Sequence, residues 1–174
     1  MFARVRIITR APRCRLRGFV VSLASICQYH PIADKDAIML TEQQLATLRA
    51  LVDRIIPADD FPSGWQAGVG DYLAGQFERD LRPQLDRYRA GLDALDAEAQ
   101  AGSGARFAEL DAEHQDALLR RIEAGVVTTA WPTDPAAFFQ AAVEHSMEGF
   151  YSDPGNGGNL ASVSWHMIGF EVRG

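Results

Sequence analysis

The sequence predicts an all-α protein: a single compact domain of about five helices with an irregular Gly/Asn-rich carboxy-terminal segment. Three observations carry that expectation. Apolar residues recur at three- and four-residue steps from Leu45 onward, the spacing of one helix face. Hydroxyl or carboxylate residues stand where the periodic stretches begin, and proline or glycine where they end. No stretch of the body alternates apolar and polar residues in the manner of a half-buried strand.

The first helix opens at Thr41-Glu42-Gln43-Gln44, which fits a capping box with a hydroxyl at the N-cap and glutamine three residues on. Leu45, Leu48, Val52 and Ile55 form its apolar stripe, and Pro57 stops it because proline cannot continue the backbone ladder. Asp59-Asp60-Phe61-Pro62-Ser63-Gly64 reads as a loop. A second helix begins near Ala67 and turns Val69, Tyr72, Leu73 and Phe77 inward. Pro83 either kinks it or starts a third helix at the first position, where proline is tolerated. Leu85, Tyr88, Leu92, Leu95 and Ala99 make a seam too short for a free coiled coil, so it packs within the chain. Gly102-Ser103-Gly104 ends that run. Asp111 caps a fourth helix carrying Leu118, Leu119 and Ile122, closed by Gly125. Asp134-Pro135 opens a fifth, with Phe138, Phe139, Ala142, Val143, Ser146 and Phe150 on its buried side.

At 174 residues, nearly half of them hydrophobic, the chain suffices for one domain with a sizeable core. The net charge of −6 hides an asymmetry. Residues 1–38 hold seven cations against two acids, while residues 39–174 hold ten arginines against 21 acids. An acidic body argues against a general nucleic-acid binder, which needs a clustered basic face. Both cysteines, Cys14 and Cys27, lie in the basic segment. The body therefore has no thiol for a disulfide, a thiolate metal site or a catalytic cysteine.

Residues 1–38 divide from the helical domain at 39–174. Six arginines from Arg4 to Arg17 precede the apolar run Gly18 to Cys27, the layout of an export signal and too short to span a bilayer. Arg15-Leu16-Arg17 only partly matches a twin-arginine signal, and no small-residue cleavage site follows cleanly. The alternative is an extension outside the fold, with Met39 as another start.

The ending is the most informative stretch. Gly149-Phe150, Asp153-Pro154, Gly157-Gly158-Asn159, Trp165 and Ile168-Gly169 follow one another in order, and Gly155 to Asn159 favours backbone with positive φ. This ordered set resembles the gluconate 2-dehydrogenase subunit 3 family, the small subunit of membrane-associated, flavin-dependent sugar and polyol dehydrogenases. The resemblance spans roughly residues 40–170, with Leu40 through Pro57 similar to the family's opening helix. Asn156 stands where the family usually has tyrosine, Ser164 where it has glycine, and Glu171-Val172-Arg173 replaces a Pro-Gly close. The resemblance implies a non-catalytic subunit that supports folding, stability or export of a large subunit of the glucose–methanol–choline oxidoreductase type. FAD would sit in that partner, electrons would pass to a cytochrome c subunit or another acceptor, and the complex would be periplasmic or associated with the inner membrane. A free-standing cytoplasmic helical adaptor is the alternative.

Sharper chemistry finds little support in the residues. Asp153 to Asn159 lacks the lysine and hydroxyl of a phosphate-binding loop. His145, Glu148, Asp153 and His166 are metal-ligand types, yet their convergence depends on an unknown loop path. Asp59-Asp60 and Glu109, Asp111 and Glu113 read as loop and cap residues, not as an acid–base pair. The expectation is thus no catalytic, cofactor or metal site in this chain. Its functional residues would be a partner interface at Phe150, Tyr151, Asp153, Pro154, Gly157, Gly158, Asn159, Trp165, Ile168 and Gly169, with Tyr151 and Trp165 as aromatic anchors.

Overall fold

A computed structural model of the chain describes residues 40–170. The export-signal reading of residues 1–38, the start at Met39 and the altered close at Glu171-Val172-Arg173 lie outside the described residues. Among the described residues the fold is all-α: α1 Glu42–Ile55, α2 Val69–Phe77, α3 Leu85–Ser103, α4 Ala112–Glu123, α5 Pro135–Tyr151 and a short α6 Val163–Met167.

The caps fall where side-chain chemistry places them. Thr41 accepts a hydrogen bond from the Gln44 amide while the Gln44 side chain accepts one from the Thr41 amide, satisfying two donors at the start of α1. Asp111 accepts from the His114 amide, and Asp134 from those of Ala136 and Ala137. Pro83 begins a 3-10 turn, Arg82–Gln84, that leads directly into α3. It starts a helix; it does not kink one.

α5 is the hub, packing against each of the other five helices. Two of those approaches depend on glycine. A Cβ on Gly91 of α3 would overlap the Phe138 ring of α5, and one on Gly149 would lie 2.7 Å from the Tyr72 ring of α2. Around α5 the core gathers Leu48, Leu51 and Val52 of α1, Val69, Leu73 and Phe77 of α2, the whole α3 seam, and Leu118, Leu119 and Ile122 of α4. Full burial of each such side chain contributes about 1.5–3 kcal/mol.

Two expectations need correcting. Leu45 does not belong to the buried stripe; it is 46% exposed, and Leu51 takes the inward position. At 100° per residue, the face of α1 that meets α3 runs through Thr47, Leu48, Leu51 and Val52. The carboxy-terminal segment is also less irregular than expected. It contains 3-10 turns at Pro154–Asn156 and Leu160–Ser162 and then α6. α6 exists because the segment is pinned to the body by contacts remote in sequence, a tertiary effect that local periodicity does not report.

Three buried polar residues tie the helices together. Asp96 of α3 accepts from Thr47 of α1 at 3.0 Å and from the Phe107 amide at 3.1 Å. Glu98, with its side chain fully buried, accepts from the amides and hydroxyls of both Thr128 and Thr129 at 2.7–2.8 Å and from Arg121 at 2.8 Å. His145 of α5 pairs through Nδ1 with the Tyr88 hydroxyl of α3 at 2.8 Å. Burial alone would raise the Glu98 carboxyl, but the Thr129 and Thr128 donors outweigh it and hold it down to about 2.

Candidate functional site

The residues after α5 form a knot that closes on the body. Ser152 ends the helix and donates its hydroxyl to the Gly149 carbonyl at 3.0 Å. Asp153 then caps the next turn by accepting from the Gly155 amide at 2.8 Å, with Pro154 at the first position. Gly157 (φ 95°) lies against the backbone of Asp71 and Tyr72 at the start of α2, where a Cβ would come within 3.3 Å. Gly158 sits so tightly on the Gly149 carbonyl that no side chain fits there. Gly157 is favoured by its left-handed turn geometry, whereas Gly158 is required by close approach.

Asn159 is the centre of the knot. It is completely buried, in left-handed conformation (φ 48°). Its Nδ2 donates to the Ser152 carbonyl at 2.9 Å, and its Oδ1 accepts from the Ser164 amide at 2.9 Å. The neighbouring Leu160 amide reaches across to the Ala67 carbonyl at 2.9 Å. Ala161 and Ser162 are left-handed too, at φ 55° and 56°. Backbone of that kind costs on the order of 1 kcal/mol per non-glycine residue and persists because these cross-links over-determine it. The loop is therefore held by its own chain.

The expected interface residues separate into two groups. Phe150, Gly158 and Asn159 are buried and Gly157 faces α2, so these build the knot. Tyr151, Asp153, Ile168 and Gly169 are exposed, with Pro154 and Trp165 half-buried. The two proposed anchors meet directly, since the Trp165 indole N–H donates to the Tyr151 carbonyl at 3.4 Å. Trp165 also packs edge-on against Phe170 with ring centroids 5.3 Å apart.

Met147 and Met167 belong to this surface as well, and the sequence reading missed both. With Ile55, Ile56, Phe61 and Tyr151 they line a groove of about 240 Å³ between the loop after α1 and the end of α5. Their signal was present in the sequence: Met147 lies one helical turn before Tyr151 on α5.

Other candidate chemistry disperses. His145 is turned into the core towards Tyr88, whereas His166 is exposed on α6. Glu148 faces the Tyr72 hydroxyl at 3.5 Å; burial first, and then the Glu148 charge, raise that phenol. Among the described residues, no three His, Cys, Asp or Glu side chains converge as metal ligands would. The Gly155, Asn156, Gly157 and Leu160 amides are all directed at acceptors within the chain. Asp59 accepts from the Phe61 amide, while Glu109 and Asp111 accept from the Arg106 and His114 amides. They are turn and cap residues.

A family model described as gluconate 2-dehydrogenase subunit 3 matches residues 42–172, about three quarters of the chain. No curated protein and no solved structure matches it.

Proposed function

The chain belongs to the gluconate 2-dehydrogenase subunit 3 family, and from that premise we propose that it is the non-catalytic small subunit of a flavin-dependent sugar dehydrogenase complex. Its work is to bind the large subunit and to support that subunit's folding, stability or export. FAD and the substrate pocket belong to the large subunit, and electrons leave through a cytochrome c subunit or another acceptor. The complex operates in the periplasm or at the inner membrane. No described helix is long and apolar enough to cross a membrane; membrane association through the complex is part of the same proposal.

One observation supports this reading above the others. Several buried polar groups serve the chain's own architecture, as Glu98, Asp96 and Asn159 do. Apart from Leu45 and Val126, the exposed large apolar side chains among the described residues come late in the chain. Met147, Tyr151, Leu160, Ile168 and Phe170 all fall within the last part of the described chain and are 38–58% exposed. A surface with that composition suits partner binding.

Expressing the large subunit with and without this chain tests the supporting role. The yield of soluble, flavin-loaded large subunit is expected to fall several-fold when the small subunit is omitted. Equal yield and equal export in both cases would contradict the proposal.

A further inference from the structure

The groove between α1 and α5 has one apolar wall formed by Ile55, Ile56 and Phe61 and another formed by Met147, Tyr151 and Met167. Its second wall is open to solvent, with Met147 39% and Tyr151 38% exposed. The unbranched, rotatable side chains of the two methionines allow that wall to reshape around an incoming apolar group.

The rim is acidic. Asp59 lines the groove, and Asp60 beside it is exposed. Glu144 and Glu148 precede Met147 and Tyr151, respectively, by three residues, which places all four on one side of α5, where Glu148 faces the Tyr72 hydroxyl and Glu144 accepts from Gln140. From Ile122 to Phe170 the sequence contains no lysine or arginine. Arg54, at the end of α1, is turned instead to Asp116 of α4 at 2.8 Å. An apolar slot edged by exposed carboxylates favours an apolar segment flanked by cations and repels an acidic one.

We infer that this groove seats a segment of a partner polypeptide carrying a large apolar side chain between arginine or lysine residues. The inference rests on the reading of this chain as a subunit that binds a dehydrogenase large subunit, and it specifies the chemistry of the docking element. The apolar side chain enters between Phe61 and Met147. Its flanking cations meet Asp59 and Asp60.

The test is capture of the large subunit by the tagged, full-length chain after co-expression, at low and high salt. The wild type retains the flavoprotein, and retention falls several-fold as salt rises because rim ion pairs are screened. Met147→Glu lowers retention tenfold or more. Asp60→Lys lowers it less and flattens the salt dependence. Leu45→Glu, at an exposed site about 15 Å farther back along α1, leaves it unchanged. Circular dichroism and the unfolding midpoint report whether each variant folds, and Asp60→Lys, on an exposed loop, carries the test if Met147→Glu does not. A complex that survives the folded groove variants at wild-type strength overturns the groove assignment and leaves the subunit reading intact. Capture of no flavoprotein by the wild type overturns both.

Discussion

At the scale of single residues, Glu98 shows how a charge is made structural. Its carboxylate receives four hydrogen bonds from Thr128 and Thr129 and one from Arg121, and so anchors the loop between α4 and α5 onto α3. The carboxyl is held at about 2, below its ordinary 4.5. The unfolded chain therefore takes up this proton first as pH falls. The stabilisation is complete above about pH 4.5 and is lost progressively towards pH 2, amounting to about 3 kcal/mol. Glu98→Gln is expected to lose about 2–4 kcal/mol at neutral pH and to show a shallower acid transition, both measurable by urea unfolding across pH. Wild-type and variant curves that stay parallel from pH 6 to pH 2 would refute that role. Nothing local in the sequence marks Glu98, because its partners lie some thirty residues ahead. A glutamate within a helix is ordinarily read as solvated.

At the scale of elements, legibility followed the range of the interactions. The caps at Thr41, Asp111 and Asp134 and the stop at Gly104 depend on neighbours within a few residues, and sequence placed them correctly. The α3 seam was readable because Leu85, Tyr88, Leu92, Leu95 and Ala99 keep one helical phase over the whole element. Leu45 was misplaced because the first turn of a helix contributes to the stripe by spacing alone, while burial depends on what lies opposite. α6 was missed because its start relies on Asn159, Ala161 and Ser162 in left-handed conformation and on the bond from Leu160 to Ala67. Of the interface residues, the glycines and Asn159 were legible as a special turn, but not as one closed by this chain itself. The fully buried core ends at Phe150, so removing Trp165 to Gly174 takes from it only the Met167 side chain packed at its edge, and the cut leaves the Ser164 amide in place on Asn159. That truncation is expected to retain the far-UV circular dichroism of the body, lose only about 1–2 kcal/mol of stability, and release the large subunit. Unfolding of the whole body on truncation would show that α6 belongs to the core.

At the scale of the whole molecule, the distribution of its groups argues for a binding protein. Carboxylates, histidine and asparagine are used inside to join helices, and α5 connects every other helix while carrying Met147 and Tyr151 outward at its end. The body thus presents an apolar surface with acidic residues at its edge, and the family assignment supplies the class of complex in which such a surface has a use. On the proposed function, this chain binds a flavoprotein and leaves the redox chemistry to it. Size-exclusion chromatography of the chain alone, and of the chain co-expressed with the large subunit, tests this most directly when protein and flavin absorbance are followed together. The account predicts a colourless peak for the chain alone and co-elution of both polypeptides with flavin in the complex. Flavin bound to the isolated chain, or two polypeptides eluting apart, would contradict it.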